Sequence, residues 1–325
     1  MLKMKCLNVL LACLLAACGN DNNKINSNDG FSKDADTKQH TETQNYMPLI
    51  YESFESGGWN AASPRGFTPG LIANLEKNFM FNQLQGNHSF SLEREIVREG
   101  NLAAKLVWYH QRPEAFNGDK NTIDNVDRKA MFHGYKTQKV KGAEAWYGFS
   151  VYFPTEGTKD ELNPWLFFQI HGSADKRLKE HSRNPPFSLT LSKEGLRGNW
   201  KWDPHELSPT RNGDGTEYFE IPGKKIDYLD RWVDFVLHVK VDYSEEKNGL
   251  VELWVDGSKV LNKHKIQFGY NDDKGIYPSW GMYFNGDLSV MKNDHYLYLD
   301  AIRMTDDANA SYETVAPVNP ANRLD

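Results

Sequence analysis

Two polar side chains, Gln169 and His171, are separated by one residue within a run of strand-forming residues at 165–171. Because side chains alternate between the faces of a strand, both should point to the same side. An amide can donate a hydrogen bond to an anion, and a neutral imidazole can accept a proton. The pair therefore indicates either a half-exposed polar strand face or part of a binding groove. The same alternation predicts that Phe167 lies on this face as well. The other three side chains should point the opposite way, into the core: Leu166, Phe168 and Ile170.

A second group of candidates is the segment Trp200-Lys201-Trp202, with Arg197 and His205 close to it. Aromatic rings offer flat apolar surfaces on which sugars can stack, and cations can pair with carboxylates. From this group Trp202 is assigned a substrate-binding role. The alternative is that both Trp side chains are ordinary core or edge residues.

Several other kinds of chemistry are disfavoured. The sequence contains no His-Glu-x-x-His zinc motif, no Gly-x-Ser-x-Gly elbow and no phosphate-binding loop. Segment 95–99 has a Glu at each end but no Asp between them, which argues against a glycosidase with paired carboxylates. The net charge of −6, without a basic block, argues against a nucleic-acid partner.

The elements that would position these residues are strands. Short runs rich in Val, Ile, Phe, Tyr and Trp recur from residue 47 onward, separated by Gly, Asn, Asp and Pro. Asp256 and Gly257 separate the runs at 250–255 and 258–261, which predicts a two-residue hairpin. The pattern predicts one all-β domain, either a sandwich or a barrel.

Two of these runs narrow the fold. The alternating apolar residues at 232–241, followed by segment 249–257, resemble the neighbouring strands of concanavalin-type jelly rolls. The resemblance implies a β-jelly roll, a sandwich of two curved antiparallel sheets with a carbohydrate groove. Because this fold hosts hydrolases, lyases and lectin modules, it leaves the function open.

Three short segments resemble jelly-roll polysaccharide lyases, in particular the alginate lyases and the heparin lyase I-like group. The first is Gln169-Ile170-His171. The second is Arg128-Lys129, followed by Ala130 where the family carries an acidic residue and then by segment 142–154.

The third segment is 270–277, which keeps the Gly-Ile-Tyr sequence that ends at Tyr277. Its lysine, Lys274, stands three residues before Tyr277, whereas the family places it four residues before. In a regular strand this spacing predicts that Lys274 and Tyr277 face opposite sides, with Asp273 on the side of Tyr277.

The resemblance implies that the protein cleaves a uronate-containing acidic polysaccharide by β-elimination. In this reaction the C5 proton is removed, the 4-linked oxygen departs and an unsaturated end is left. Arg128 and Gln169 would stabilise the charge on the substrate carboxylate, and His171 and Tyr277 would jointly serve as base and acid. Further substrate contacts are assigned to three residues: Lys129, Lys274 and Trp202.

Two other functions stay open: a non-catalytic carbohydrate-binding surface lipoprotein of the same fold and, less favoured, a jelly-roll glycoside hydrolase. The lyase chemistry requires no cofactor and no metal. A structural calcium ion is left open, with the turn-forming segment 212–215 as the candidate loop. We expect a monomer whose partner is the acidic polysaccharide.

The N-terminal segment resembles the lipobox of bacterial lipoproteins. Lys3 and Lys5 precede an apolar stretch at 7–15, and Leu15-Ala16-Ala17 leads to Cys18. The resemblance implies a signal peptide at 1–17, a lipid on Cys18, a disordered polar tether at 18–46 and a lyase domain at 47–325. We therefore expect an exported lipoprotein, held at the outer membrane only through its lipid. The body after Cys18 has no cysteine, so it lacks a thiol nucleophile.

Overall fold

A computed structural model describes residues 47, 49–56, 78–111 and 128–317. Within these residues the chain forms two sheets and one short α-helix, which confirms the all-β prediction. In chain order the elements are β1 (Ile50–Glu52), β2 (Phe81–Leu84), β3 (Phe90–Glu93), β4 (Ala103–Trp108), β5 (Lys129–His133), β6 (Glu144–Tyr152), β7 (Trp165–His171), β8 (Phe187–Leu191), β9 (Leu196–Asp203), β10 (Gly215–Glu220), β11 (Trp232–Lys240), β12 (Gly249–Val255), β13 (Ser258–Ile266), β14 (Gly269–Tyr270), β15 (Tyr277–Tyr283), β16 (His295–Thr305) and the helix α1 (Tyr312–Val315).

Each sheet joins strands that are distant in the sequence. The first sheet has the order β13-β12-β11-β6-β16-β4-β3, and β1 pairs with β16. The second sheet has the order β10-β9-β8-β7-β15-β5-β2, and β14 runs parallel to β9. The other pairings are antiparallel, as expected for the predicted jelly roll.

The two sheets pack face to face through aromatic side chains. Phe149 of β6 stacks on Phe168 of β7, with ring centroids 4.6 Å apart, and on Phe235 of β11, with centroids 5.2 Å apart. Trp280 of β15 lies 5.9 Å from Phe168 and is fully buried. The burial of each such ring contributes about 2–3 kcal/mol, so this aromatic layer stabilises the sandwich strongly. It also holds β7 and β15 side by side.

An irregularity in the pairing of β7 with β8 changes which side chains face the core. The register shifts between Leu166 and Phe168, and Phe167 belongs to the buried core. Leu166 instead lines a cavity on the opposite face, which we call the open face of the second sheet. The predicted positions of Phe167 and Leu166 are therefore wrong, because an extra residue in one strand reverses the alternation beyond it.

The predicted hairpin is confirmed. β12 and β13 pair directly, and the turn between them is made by Asp256 at φ 49° and Gly257 at φ 79°. Two consecutive residues with positive φ are typical of the type I′ turn that matches the twist of paired strands. β11 lies on the other side of β12, as the sequence pattern at 232–257 predicts.

The predictions for the N-terminal segment fall on residues that the structure does not describe. These are the signal peptide at 1–17, the lipidated Cys18 and the whole tether at 18–46. Over the described ranges, the structure contains no helix that is long and apolar enough to cross a membrane.

Candidate active site

Neighbouring strands bring three of the predicted residues together on the open face of the second sheet. Tyr277, the first residue of β15, lies directly opposite His171, the last residue of β7. Their rings are nearly parallel, with an angle of 24° and centroids 5.6 Å apart. One step further along both strands, Ser279 lies opposite Gln169. The register of this single strand pair therefore fixes the relative positions of all four side chains.

β5 adds a histidine that the sequence analysis missed. His133 lies opposite Ser279 on the other side of β15, and its Nδ1 is 2.7 Å from the Ser279 Oγ. Phe81 of β2 stacks on the His133 ring with centroids 4.1 Å apart. We refer to Gln169, His171, Tyr277, Ser279 and His133 as the central patch. No sequence motif marks His133, and only the pairing of β5 with β15 brings it to the patch.

The environment of His171 keeps its side chain neutral at neutral pH. Burial lowers the pKa of His171 from 6.5 to about 4, and the positive charges of Lys129, Arg183 and Lys136 act in the same direction. Its Nδ1 lies 2.7 Å from the main-chain carbonyl oxygen of Gly172, so this nitrogen carries the proton and donates it. The Nε2 atom then holds a lone pair that can accept a proton or a hydrogen bond.

Gln169 and Ser279 form the floor between the two histidines. Gln169 is 3% exposed, and its Oε1 has no hydrogen-bond partner among the described residues. Ser279 is fully buried. A buried amide with unused hydrogen-bonding capacity is costly in a folded chain, so such a group is expected at a binding site. The unused Oε1 is an acceptor and fits a hydroxyl group of a ligand, whereas the predicted contact with a carboxylate would use the Nε2 hydrogens of Gln169.

Positive side chains surround the Tyr277 end of the patch. His171 and Tyr277 line a cavity of about 640 Å³ together with Lys136, Lys176 and Lys274. The Lys136 Nζ lies 5.4 Å from the centre of the Tyr277 ring. Burial lowers the pKa of Lys136, and the charges of Lys274 and Lys176 lower it further. Three carboxylates line the same cavity as well, and each lies within ion-pair distance of Arg177 or Arg183. The three ammonium groups therefore leave a net positive potential, which favours an anionic ligand.

The structure places Lys274 differently from the prediction based on strand alternation. β15 begins only at Tyr277, so Lys274 lies in the preceding loop and the two residues line the same cavity. Asp273, which also lines the cavity, is held by an ion pair with Arg177 at 2.7 Å. The prediction that Lys274 faces away from Tyr277 is wrong because alternation applies only within a strand.

Lys129 and Arg128 lie at the other end of β5. The Lys129 Nζ donates to Gln83 Oε1 at 2.8 Å and lies 4.6 Å from the centre of the Tyr283 ring. Arg128 donates to the main-chain carbonyl oxygens of residues 284 and 286. Five residues of β-strand span about 17 Å, so Arg128 is not brought to the histidine of β5 or to the rest of the central patch. Its guanidinium is held by the two carbonyl oxygens, and its contact with the reacting carboxylate stays a prediction.

Trp202 also lies away from the patch. Trp200 belongs to the buried core, and Trp202 packs against that core from the same face of β9. The residue between them, Lys201, points to the open face and lines a cavity there. The alternative that both Trp side chains are structural therefore fits the structure better than a role of Trp202 in substrate binding.

The described residues contain no group of three or more His, Cys, Asp or Glu side chains arranged to hold a metal ion. The Gly213 amide donates to the Thr210 carbonyl oxygen and closes a turn at 210–213 shortly before β10. A bound calcium ion stays a prediction, and none of the steps considered for the patch requires one.

Comparisons with known proteins identify the family and the fold of the chain. A family model described as polysaccharide lyase matches residues 74–303. The solved structure of the endo-β-1,4-glucuronan lyase from the fungus Trichoderma reesei is similar, with a TM-score of 0.56 and 16% sequence identity over 78% of this chain and 97% of that chain. A marine PL-14 alginate lyase from Aplysia kurodai gives a TM-score of 0.43 and 15% identity, over 67% of this chain and 87% of that chain.

No curated protein sequence matches the chain significantly. At 16% identity the likeness to the glucuronan lyase shows the fold alone, and it confirms the predicted jelly roll. The family model, in contrast, covers most of the chain, including every strand from β2 to β15. The chain therefore belongs to the polysaccharide lyase family.

Proposed function

We propose that this lyase cleaves a 1,4-linked polysaccharide that contains uronate residues, by β-elimination at the central patch. A base removes the proton from C5 of the uronate, and the electron pair of that bond forms the C4–C5 double bond. The bond from C4 to the linking oxygen breaks, and an acid returns a proton to that oxygen. The products are one chain with an unsaturated end and one with a new hydroxyl group.

The carboxylate next to C5 must be stabilised, because removal of the proton adds negative charge to a group that is already charged. Preorganised donors and cations aimed at the developing charge are the usual solution. Gln169 offers a buried amide at the floor of the patch, and Lys136 contributes positive charge beside Tyr277. Gln169 and Lys136 would therefore stabilise the substrate carboxylate, a role that the sequence resemblance assigns to Gln169 and Arg128.

His171 and Tyr277 are suited to the two proton transfers. The lowered pKa of His171 keeps its Nε2 unprotonated at neutral pH, so it can accept the C5 proton or a hydrogen bond. A bound carboxylate brings negative charge close to the imidazole and raises its pKa in the complex, which makes it a stronger base. The phenol of Tyr277 can protonate the departing oxygen or, when ionised, act as the base. The configuration at C5 of the substrate decides between these assignments.

The single observation that carries this proposal is the pairing of His171 with Tyr277 across β7 and β15, beside Gln169. The test is a panel of alginate, glucuronan, ulvan and a glycosaminoglycan, with release of unsaturated ends measured by their ultraviolet absorbance. Reducing ends without this absorbance would indicate a hydrolase. Binding without cleavage would indicate a carbohydrate-binding module.

Variants then assign the residues. His171→Ala and Tyr277→Phe should each lower kcat by about 10²–10⁴-fold, the usual contribution of a positioned acid or base. Matched controls are His264→Ala on β13 and Tyr312→Phe on α1, both on the first-sheet side of the molecule. Full activity of either patch variant would reject the assignment of that residue.

A further inference from the structure

A second cavity of about 470 Å³ lies on the open face of the second sheet, beyond β7. We call it the distal pocket. Ser188 of β8 lies opposite both Gln169 and Asn199, so Asn199 is two strand spacings, about 10 Å, from the central patch. A pyranose ring linked through its 1 and 4 positions is about as long as one strand spacing. A chain that crosses the strands from the central patch would therefore reach the distal pocket with a sugar close to the reacting one.

The pocket is lined by polar, cationic and aromatic side chains, including Ser188, Arg197, Asn199, Lys201, Tyr218 and Tyr283.

Lys201 is the residue that defines the chemistry of this pocket. It is 6% exposed, and its Nζ donates to Asn199 Oδ1 at 2.9 Å. Over the described part of the chain it forms no ion pair with a carboxylate. Burial without a counter-charge lowers its pKa. Holding a desolvated ammonium group in this way is costly unless an anion arrives to pair with it.

The charges around Lys201 favour an anion. Arg197 lines the pocket as well and forms no ion pair with any described carboxylate. The acidic residue that lines the pocket, Glu220, is exposed at the end of β10. Two cations therefore face one carboxylate that water screens, and the net potential is positive.

Tyr218 gives the pocket an aromatic surface. It lies on the edge strand β10, is 74% exposed, and its ring centre is 5.7 Å from the Lys201 Nζ. An aromatic ring open to solvent next to a buried cation leaves both groups available to a single ligand. Its apolar face can be covered by the carbon-bound hydrogens of a sugar ring, while the cation pairs with the carboxylate of that sugar.

We propose that the distal pocket is a separate uronate-binding subsite, in which Lys201 pairs with the carboxylate of a sugar near the cleaved linkage and Tyr218 stacks on its ring. This inference rests on the proposed function, because it assumes that the substrate carries a carboxylate on more than one sugar. It makes the enzyme select chains that are both long enough and acidic enough to fill the pocket. The specificity then depends on residues outside the central patch.

The kinetic test compares Lys201→Met with Lys263→Met, a matched change on the exposed strand β13. The substrates are dimers and hexamers of whichever uronate polymer the wild-type protein cleaves. For the hexamer, kcat/KM of Lys201→Met should fall about 10-fold or more, as expected for loss of one charge-assisted hydrogen bond. The loss should be much smaller for the dimer, which can occupy the central patch but is too short to reach a pocket two strand spacings away. Equal losses on both substrates, or no loss on the hexamer, would overturn the proposal.

A binding test keeps this proposal separate from the proposed reaction. Calorimetric titration with a saturated glucuronate hexamer and with cellohexaose compares an acidic ligand with its neutral counterpart. Lys201→Met should weaken binding of the acidic hexamer and leave binding of cellohexaose unchanged, whereas Tyr218→Ala should weaken binding of both. If the wild-type protein binds the acidic hexamer through Lys201 but cleaves no uronate polymer, the proposed reaction fails and the subsite stands. If Lys201→Met binds the hexamer as tightly as the wild type, the subsite fails.

Discussion

His171 and Tyr277 face each other across β7 and β15 with ring centroids 5.6 Å apart, at the ends of the two strands rather than in their middle. This position gives both rings access to the cavity at the strand ends, while Gln169 and Ser279, one step inward, are almost inaccessible. The groups suited to proton transfer therefore lie at the entrance, and the amide suited to holding a carboxylate lies at the floor.

The first prediction concerns pH. Because the pKa of His171 is lowered to about 4, the imidazole stays unprotonated well below the ordinary value of 6.5. On the acidic side of the pH profile, kcat/KM should therefore drop to half its maximum near pH 4 rather than near pH 6.5. The measurement is kcat/KM from pH 3.5 to 8, in steps of about half a unit, with buffers of constant ionic strength.

Histidine resonances measured by NMR give an independent readout of the same group. The His171 signal should titrate near pH 4 in the free protein, and Lys129→Met should move the midpoint upward because one nearby positive charge is removed. The unfolded chain binds this proton more readily than the folded one, so the shift also costs stability as pH falls from 6.5 toward 4. A midpoint near 6.5 in the wild-type protein would contradict the lowered pKa of His171 on which its role as a neutral base depends.

The second prediction tests the amide at the floor of the patch. Gln169→Glu keeps the shape of the side chain but directs a negative charge at the position proposed for the substrate carboxylate. We expect kcat to fall by about 10²–10³-fold, the range found when one donor to a developing anion is lost. Asn262→Asp on the exposed strand β13 introduces the same charge far from the patch and should have no effect. Comparable rates for Gln169→Glu and the wild type would place the carboxylate elsewhere.

The third prediction concerns the positive potential around Tyr277. Lys136→Met removes the ammonium group that lies 5.4 Å from the tyrosine ring. We expect KM to rise about 10-fold at low salt and the difference from wild type to shrink as salt is added, because the lost attraction is screened. Lys105→Met, beside the rings of Tyr296 and Tyr298 on the first sheet, is the matched control. A difference in KM that does not depend on salt would indicate a steric effect instead.

Much of the fold could be predicted from local patterns. The Asp256–Gly257 turn and the strands on either side of it follow from turn chemistry and alternation, which act between neighbouring residues. The position of Phe167 could not be predicted, because the irregularity in β7 arises from its pairing with β8. The structural role of Trp202 follows from which face of β9 meets the core, and periodicity alone does not distinguish the two faces.

The same limit applies to the site. Gln169 and His171 are two residues apart, so their common face could be predicted from the sequence. Arg128 directly precedes β5 and His133 ends it, and the register of β5 against β15 brings His133 to Ser279. That register depends on contacts between segments that are about 150 residues apart in the sequence. The sequence motif that contains Arg128 therefore carries no information about the approach of His133 to the patch.

The fourth prediction concerns the N-terminal segment. If Cys18 carries a lipid, cells that express the full chain should incorporate labelled palmitate into the protein, and Cys18→Ala should abolish the label. Cys13→Ala, inside the apolar stretch, is the matched control and should retain the label. Palmitate on the Cys18→Ala protein would reject the lipobox interpretation. Loss of the label together with release of the protein from the membrane fraction would support the proposed anchor.

The fifth prediction concerns the strand contact that holds the patch together. Gly281 of β15 has φ 125° and lies opposite Met131 of β5, and a Cβ at this position would come within 2.1 Å of the Ala130 carbonyl oxygen. Gly281→Ala must therefore push β5 away from β15 or leave the backbone strained. We expect a loss of about 1–3 kcal/mol in the free energy of unfolding, measured by urea titration.

A change in activity should accompany this loss of stability. The displaced strand is the one that carries His133, whose Nδ1 lies 2.7 Å from the Ser279 Oγ. Gly286→Ala is the matched control, because a Cβ there meets nothing within 4 Å, and it should preserve both stability and activity. If Gly281→Ala unfolds at the same urea concentration as the wild type, the close approach of β5 to β15 is not required. If it is destabilised but fully active under folding conditions, the pairing of β5 with β15 matters for the fold and not for the reaction.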